Sequence, residues 1–147
     1  MIITISIYRY KERYNMSLNE ATRFDDDYDF TNHNFNCGDC DIYAISLHRL
    51  YGYPLYAIRG KYLEPEWGGI REWGYEYCHI MVKLPNGNYL DSLGEQTKNE
   101  MISRSVFLEK VEKITIVKIT EEDAKYMFSC QDQEHDIQQV MKYIKNC

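Results

Sequence analysis

The tetrapeptide Pro85-Asn86-Gly87-Asn88 constrains the fold more than any other stretch. It separates two apolar-rich segments, EYCHIMVKL (76–84) and NYLDS (88–92). Asn-Gly readily adopts the positive φ angles of a tight hairpin turn, so the two segments are expected to pair as antiparallel strands. The hairpin carries His79 on one strand and Asp91 on the next. A turn centred on Asn86-Gly87 pairs Pro85 with Asn88 and sets His79 opposite residue 94. In that register His79 and Asp91 fall on opposite faces. A bulge or a longer loop would be needed to bring them together.

The rest of the chain supplies helices and further strands. Residues 2–10 (IITISIYRY) alternate as a strand does, and Ser17 with Glu20 has the spacing of a capping box opening a short helix over 17–23. Asp25-Asp26-Asp27 is expected in a solvated loop. From Asp39 or Cys40 to Leu50, the residues Ile42, Tyr43, Ser46, Leu47 and Leu50 recur at helical spacing. Gly52 and Pro54 end that helix. Strands follow over 55–60 and 111–119, with helices over 121–128, capped by Thr120 and Asp123, and over 132–145. Residues 61–75 hold both tryptophans, Trp67 and Trp73, among three glycines and a proline. They read as an exposed loop that either anchors in the core or walls a substrate site. No repeat or linker divides residues 1–147, so the expectation is a single α+β domain. In it a helix beginning at Cys40 packs on a mainly antiparallel sheet, with two C-terminal helices against it.

Composition narrows the function classes. The formal charge is −6 and the basic residues are scattered, which argues against a surface that tracks nucleic-acid phosphates. No stretch approaches the roughly 18 apolar residues of a membrane span. The N-terminal run has no small-residue cleavage site, and the five cysteines are odd in number. Free thiols in a reducing, cytoplasmic setting are expected. The 14 tyrosines suit a core whose rim stays wet.

Chemistry is concentrated in Asn34-Phe-Asn-Cys-Gly-Asp-Cys40, then His79, then Asp91. A thiol at a helix start gains from the dipole there, and a nearby imidazolium favours the thiolate further. His79 is the candidate base and later proton donor. Asp91 is the candidate that fixes its tautomer. The backbone N–H of Cys40, and an amide side chain from Asn34 or Asn36, are candidate oxyanion donors. Gly38 permits a tight turn before the thiol. Three other groupings compete. Cys37-x-x-Cys40 has the spacing of a redox pair but lacks a βαβ context. Cys37, Cys40, Cys78 and His79 form a zinc-like set, although neighbours on a strand such as Cys78 and His79 point to opposite faces. His33 is a second candidate base, expected instead as a solvated loop histidine.

The segment Asn34-x-Asn-Cys-Gly-Asp-Cys40 resembles the papain-like cysteine peptidase signature Q-G-x-C-G-x-C. Asn34 stands where that pattern has its oxyanion glutamine, and Asp41 stands where it commonly has an aromatic residue. The order Cys40, His79, Asp91 and the phrase HIMVKLPNGNYLD are similar to transglutaminase-like members of the wider superfamily. The resemblance covers residues 34–94. It implies a papain-like/transglutaminase-like core and a triad of Cys40, His79 and Asp91, with Asn34 at the oxyanion. It further implies acyl chemistry on amide bonds of a protein or peptide, with no cofactor. The alternative use of the same fold is a catalytically idle protein-binding module, with Trp67 and Trp73 serving a partner.

Overall fold

Among the described residues, a five-stranded, wholly antiparallel sheet in the order β4-β3-β2-β1-β5 forms the frame of the computed structural model. The structure describes residues 24–36, 39–63, 72–104, 111–126 and 133–147, excepting the side chains of 62, 63, 72–78 and 126. The strands are β1 (Leu55–Leu63), β2 (Glu72–Lys83), β3 (Tyr89–Asp91), β4 (Gly94–Gln96) and β5 (Val111–Lys118). The helices are α1 (Cys40–Tyr51), α2 (Lys98–Arg104), α3 (Glu121–Tyr126) and α4 (Gln133–Lys145). The expected strand over 2–10, the expected helix over 17–23 and Trp67 lie outside the described residues. Residues 61–63 and 72–75 extend β1 and β2 rather than belonging to a loop, so Trp73 stands on β2.

Helix α1 runs through the interior. Cys40, Asp41, Ile42, Ala44, Ile45, Ser46 and Leu47 are all buried, so in its first two turns only Tyr43 keeps some exposure. That pattern fits a helix enclosed on both sides. One side meets Leu55, Ala57, Ile80 and Val82 of the sheet, and the other meets Ile137, Val140 and Ile144 of α4. Gly52 ends α1 in the left-handed region (φ 76°), donating its N–H to the His48 carbonyl at 2.8 Å. Arg49 ties the helix end to α3 through Glu121 and to α4 through Glu134. The Thr120–Asp123 capping box forms as expected, each residue's side chain bonding the other's N–H at 3.1 Å.

Phe24, Phe30 and Phe35 of the segment 24–36 join the same apolar core. Tyr43, Tyr53 and Tyr143 pack partly buried at its edge, as the tyrosine excess suggested. The opposite face of the sheet has a smaller core of Ile58, Met81, Tyr89 and Met101. Met101 comes from α2, a helix that the apolar pattern did not anticipate. At the other end of the sheet, β5 comes so close to β1 that a Cβ on Gly60 would lie 2.0 Å from Val111 Cγ1.

Candidate active site

The hairpin loop decides which side chains meet. Gly87 N–H donates to the Leu84 carbonyl at 2.9 Å, and Leu84 N–H donates to the Asn88 carbonyl at 2.8 Å. Gly87 has φ 90°. The loop is therefore the three residues Pro85 to Gly87, with glycine in its left-handed position. This pairs Val82 with Leu90 and Lys83 with Tyr89, one place away from a turn centred on Asn86-Gly87. The one-place change reverses the parity. His79 and Asp91 now share a face without any bulge between β2 and β3. A bulge exists on the other side of β2, where Ile58 pairs with His79 and Arg59 with Tyr77, leaving Cys78 as the extra residue.

His79 Nε2 and Asp91 Oδ2 lie 2.8 Å apart, and both residues are buried. An ionised carboxylate only accepts hydrogen bonds, so Nε2 carries a proton and, in the neutral ring, Nδ1 is the acceptor. Asp91 is held from four directions. Its Oδ1 accepts from Leu93 N–H (2.9 Å) and Gln96 Nε2 (3.3 Å). Its Oδ2 accepts from His79 and from Arg104 of α2 at 2.5 Å. Burial pushes the Asp91 carboxyl up. The hydrogen bond and charge of His79, then Arg104 and the Leu93 amide, outweigh that and hold it below the usual carboxylate range.

The thiol comes from the other side of the sheet. Ile80 and Val82 face α1, whereas His79 and Met81 face the side of Ile58 and Tyr89. The two sides meet at an open rung. Lys83 N–H points toward β1, donating to Pro54 at 3.0 Å, while Leu84 N–H points toward β3. Antiparallel backbones alternate, so Val82 and Ile80 also direct their N–H groups toward β3. Strand β3 ends at Asp91 and the chain turns away at Ser92 and Leu93, so no strand among the described residues lies opposite the Ile80 rung. Cys40, the first residue of α1, directs its sulfur there, where the Ile80 N–H favours its anion. That N–H belongs to the peptide joining His79 to Ile80.

At the helix start, burial works against the thiolate that the dipole favours. Burial, then the charge of Asp41, pushes the Cys40 thiol up to about 12. The Ile80 and Asp41 amides offset this only in part, and the Asp91 charge adds to it. Asp39 and Asp41, on either side of Cys40, are both fully buried carboxyls. Asp41 accepts from Gln133 at 2.9 Å.

The remaining candidates separate clearly. Asn34 is exposed, and its Oδ1 accepts the Asn36 N–H at 3.1 Å in a local turn. Asn36 reaches further, its Oδ1 accepting from Ser92 Oγ at 3.3 Å beside Asp91. Trp73 stands on β2 with its side chain outside the described residues, as are Cys37 and the side chain of Cys78. His33 is not a solvated loop histidine. Its Nε2 meets Asp39 at 2.8 Å, its Nδ1 meets the Tyr28 hydroxyl at 3.0 Å, and Phe24, Phe30 and Phe35 surround the ring. Gln96 and Arg104 escaped the sequence reading, although Thr97 with Glu100 has capping-box spacing and the box forms (3.0 and 3.2 Å), opening the helix that brings Arg104. Comparison with protein-family models, with curated proteins and with solved structures finds no match for this chain.

Proposed function

We propose that the chain carries out cysteine-dependent acyl chemistry on amide bonds, with Cys40 as nucleophile, His79 as base and Asp91 as the group that orients it. The observation that carries this reading is the buried His79–Asp91 pair, Nδ1 being the ring nitrogen that Asp91 does not engage, with the Cys40 sulfur at the N–H of the peptide that follows His79. The thiol proton passes to His79 Nδ1 as the sulfur attacks the amide carbonyl. The N–H of Cys40 and an upstream amide, Asn34 or Asn36, are the candidate donors to the resulting oxyanion. The imidazolium then protonates the leaving amine. Water or a second amine releases the acyl group from the thioester. A peptide, an isopeptide or a glutamine side chain is the substrate class, and a reducing, cytoplasmic setting keeps the thiol competent.

A second reading has its own support. A thiol pushed up to about 12 and enclosed between two buried carboxyls is what a catalytically idle, protein-binding version of the fold would contain. The pH profile of Cys40 alkylation by iodoacetamide, followed by mass spectrometry, separates the two. Base-assisted chemistry gives a rate that levels off by neutral pH and falls at least about tenfold in His79→Ala. An idle thiol gives a rate that climbs about tenfold per pH unit through pH 10 and ignores His79→Ala. The second outcome refutes the enzyme.

A further inference from the structure

We propose that Arg104 is a positioning residue for His79. By sharing Oδ2 of Asp91 with the ring, it holds the carboxylate in place, so that the ring keeps the tautomer with its proton on Nε2. The inference rests on the proposed triad for its purpose, although not for its measurement.

The geometry is specific. Two cationic or potentially cationic groups converge on one oxygen, His79 Nε2 at 2.8 Å and Arg104 at 2.5 Å, while Leu93 N–H and Gln96 occupy the other oxygen. All four acceptor directions of the carboxylate are thereby used. Arg104 is also seated on the Met101 sulfur at 3.4 Å, in the last turn of α2, whose own start is fixed by the Thr97–Glu100 box. The arginine is therefore aimed by its helix.

One consequence follows for the base. A carboxylate gripped by Arg104 cannot rotate away from Nε2, so the neutral ring is kept in the tautomer with Nδ1 unprotonated. Nδ1 is then the nitrogen available to accept a proton, as the proposed base requires.

Nitrogen-15 NMR of the His79 ring in the full chain, recorded above the ordinary imidazole range, distinguishes the protonated ring nitrogen from the unprotonated one and tests this directly. Arg104→Gln gives a mixed tautomer, with proton appearing on Nδ1, and Arg104→Lys, which keeps the charge on a single, more mobile point, gives a smaller admixture. The expected order of Nδ1–H population is Arg104→Gln above Arg104→Lys above the unchanged chain. If Arg104→Gln does not fold, Arg104→Lys against the unchanged chain still gives the sign. A ring that keeps the tautomer of the unchanged chain in either folded variant overturns the inference. The spectrum needs no turnover, so it stands or falls separately from the alkylation profile of Cys40.

Discussion

Replacing Asp91 with Asn is the sharpest perturbation of the site, because almost no shape changes. The carboxylate accepts from four donors: His79, Arg104, Leu93 and Gln96. An amide has one oxygen for two of them and presents an NH2 to the other two. With its oxygen toward His79 and Arg104, the NH2 opposes the Leu93 N–H and Gln96. Flipped, it opposes Arg104 and forces His79 to accept at Nε2, which moves the ring proton to Nδ1. Each buried donor left without an acceptor costs about 1–3 kcal/mol, and partly exposed Arg104 recovers some of that from water. The expected loss is about 2–4 kcal/mol at pH 7, read by urea unfolding. Its pH dependence is also fixed. Asp91 is depressed in the folded state, so its contribution is complete above the unfolded carboxyl value of about 3.9 and is lost as pH falls through the lower folded value. The gap between the two proteins should therefore narrow below about pH 4. If the proposed chemistry holds, turnover falls by on the order of 10²–10⁴ in the same variant. A stability difference under about 0.5 kcal/mol, or one independent of pH, would refute the four-donor account.

Two further outcomes test the frame. Gly60→Ala places its Cβ against Val111 Cγ1 in β5, which sits on a stiff β-branched side chain, so unfolding by heat or urea should show a loss of about 1–3 kcal/mol. Gly87→Ala puts a side chain at φ 90°, with no neighbour within 4 Å to clash, so a loss of about 1–2 kcal/mol would be backbone strain alone, and Gly87→Asn should lose less.

Much of the frame was legible because it is written locally. Gly52 as a helix stop, the Thr120–Asp123 box and the apolar strands flanking Asn86-Gly87 each act through a few adjacent residues. The relation of His79 to Asp91 was not, because Asn-Gly is compatible with both a two-residue and a three-residue loop, and the choice reverses the face. Helix α2 was obscure for a different reason. Among its seven residues only Met101 is buried, so no apolar stripe announces it. The pairing of His33 with Asp39 depends on an irregular segment folding back through aromatic contacts, which no periodicity encodes.

The magnitudes at Cys40 decide what kind of chemistry the site can support. A shift from 9.0 to about 12 corresponds to about 4 kcal/mol against the thiolate. A helix N-terminus returns about 0.3–1 kcal/mol, up to about 2 in favourable buried geometry. The dipole therefore loses to burial, and the adjacent Asp41 charge widens the gap. If the proposed chemistry holds, the thiol proton leaves as the carbon–sulfur bond forms, and a base must accept it. The Ile80 rung brings the sulfur to the N–H of the peptide that joins His79 to Ile80, while the His79 ring lies on the other face of the sheet. That rung follows from the place at which β3 stops. A chain in which β3 continued one residue further would pair Ile80, close the rung and leave Cys40 as an ordinary core thiol.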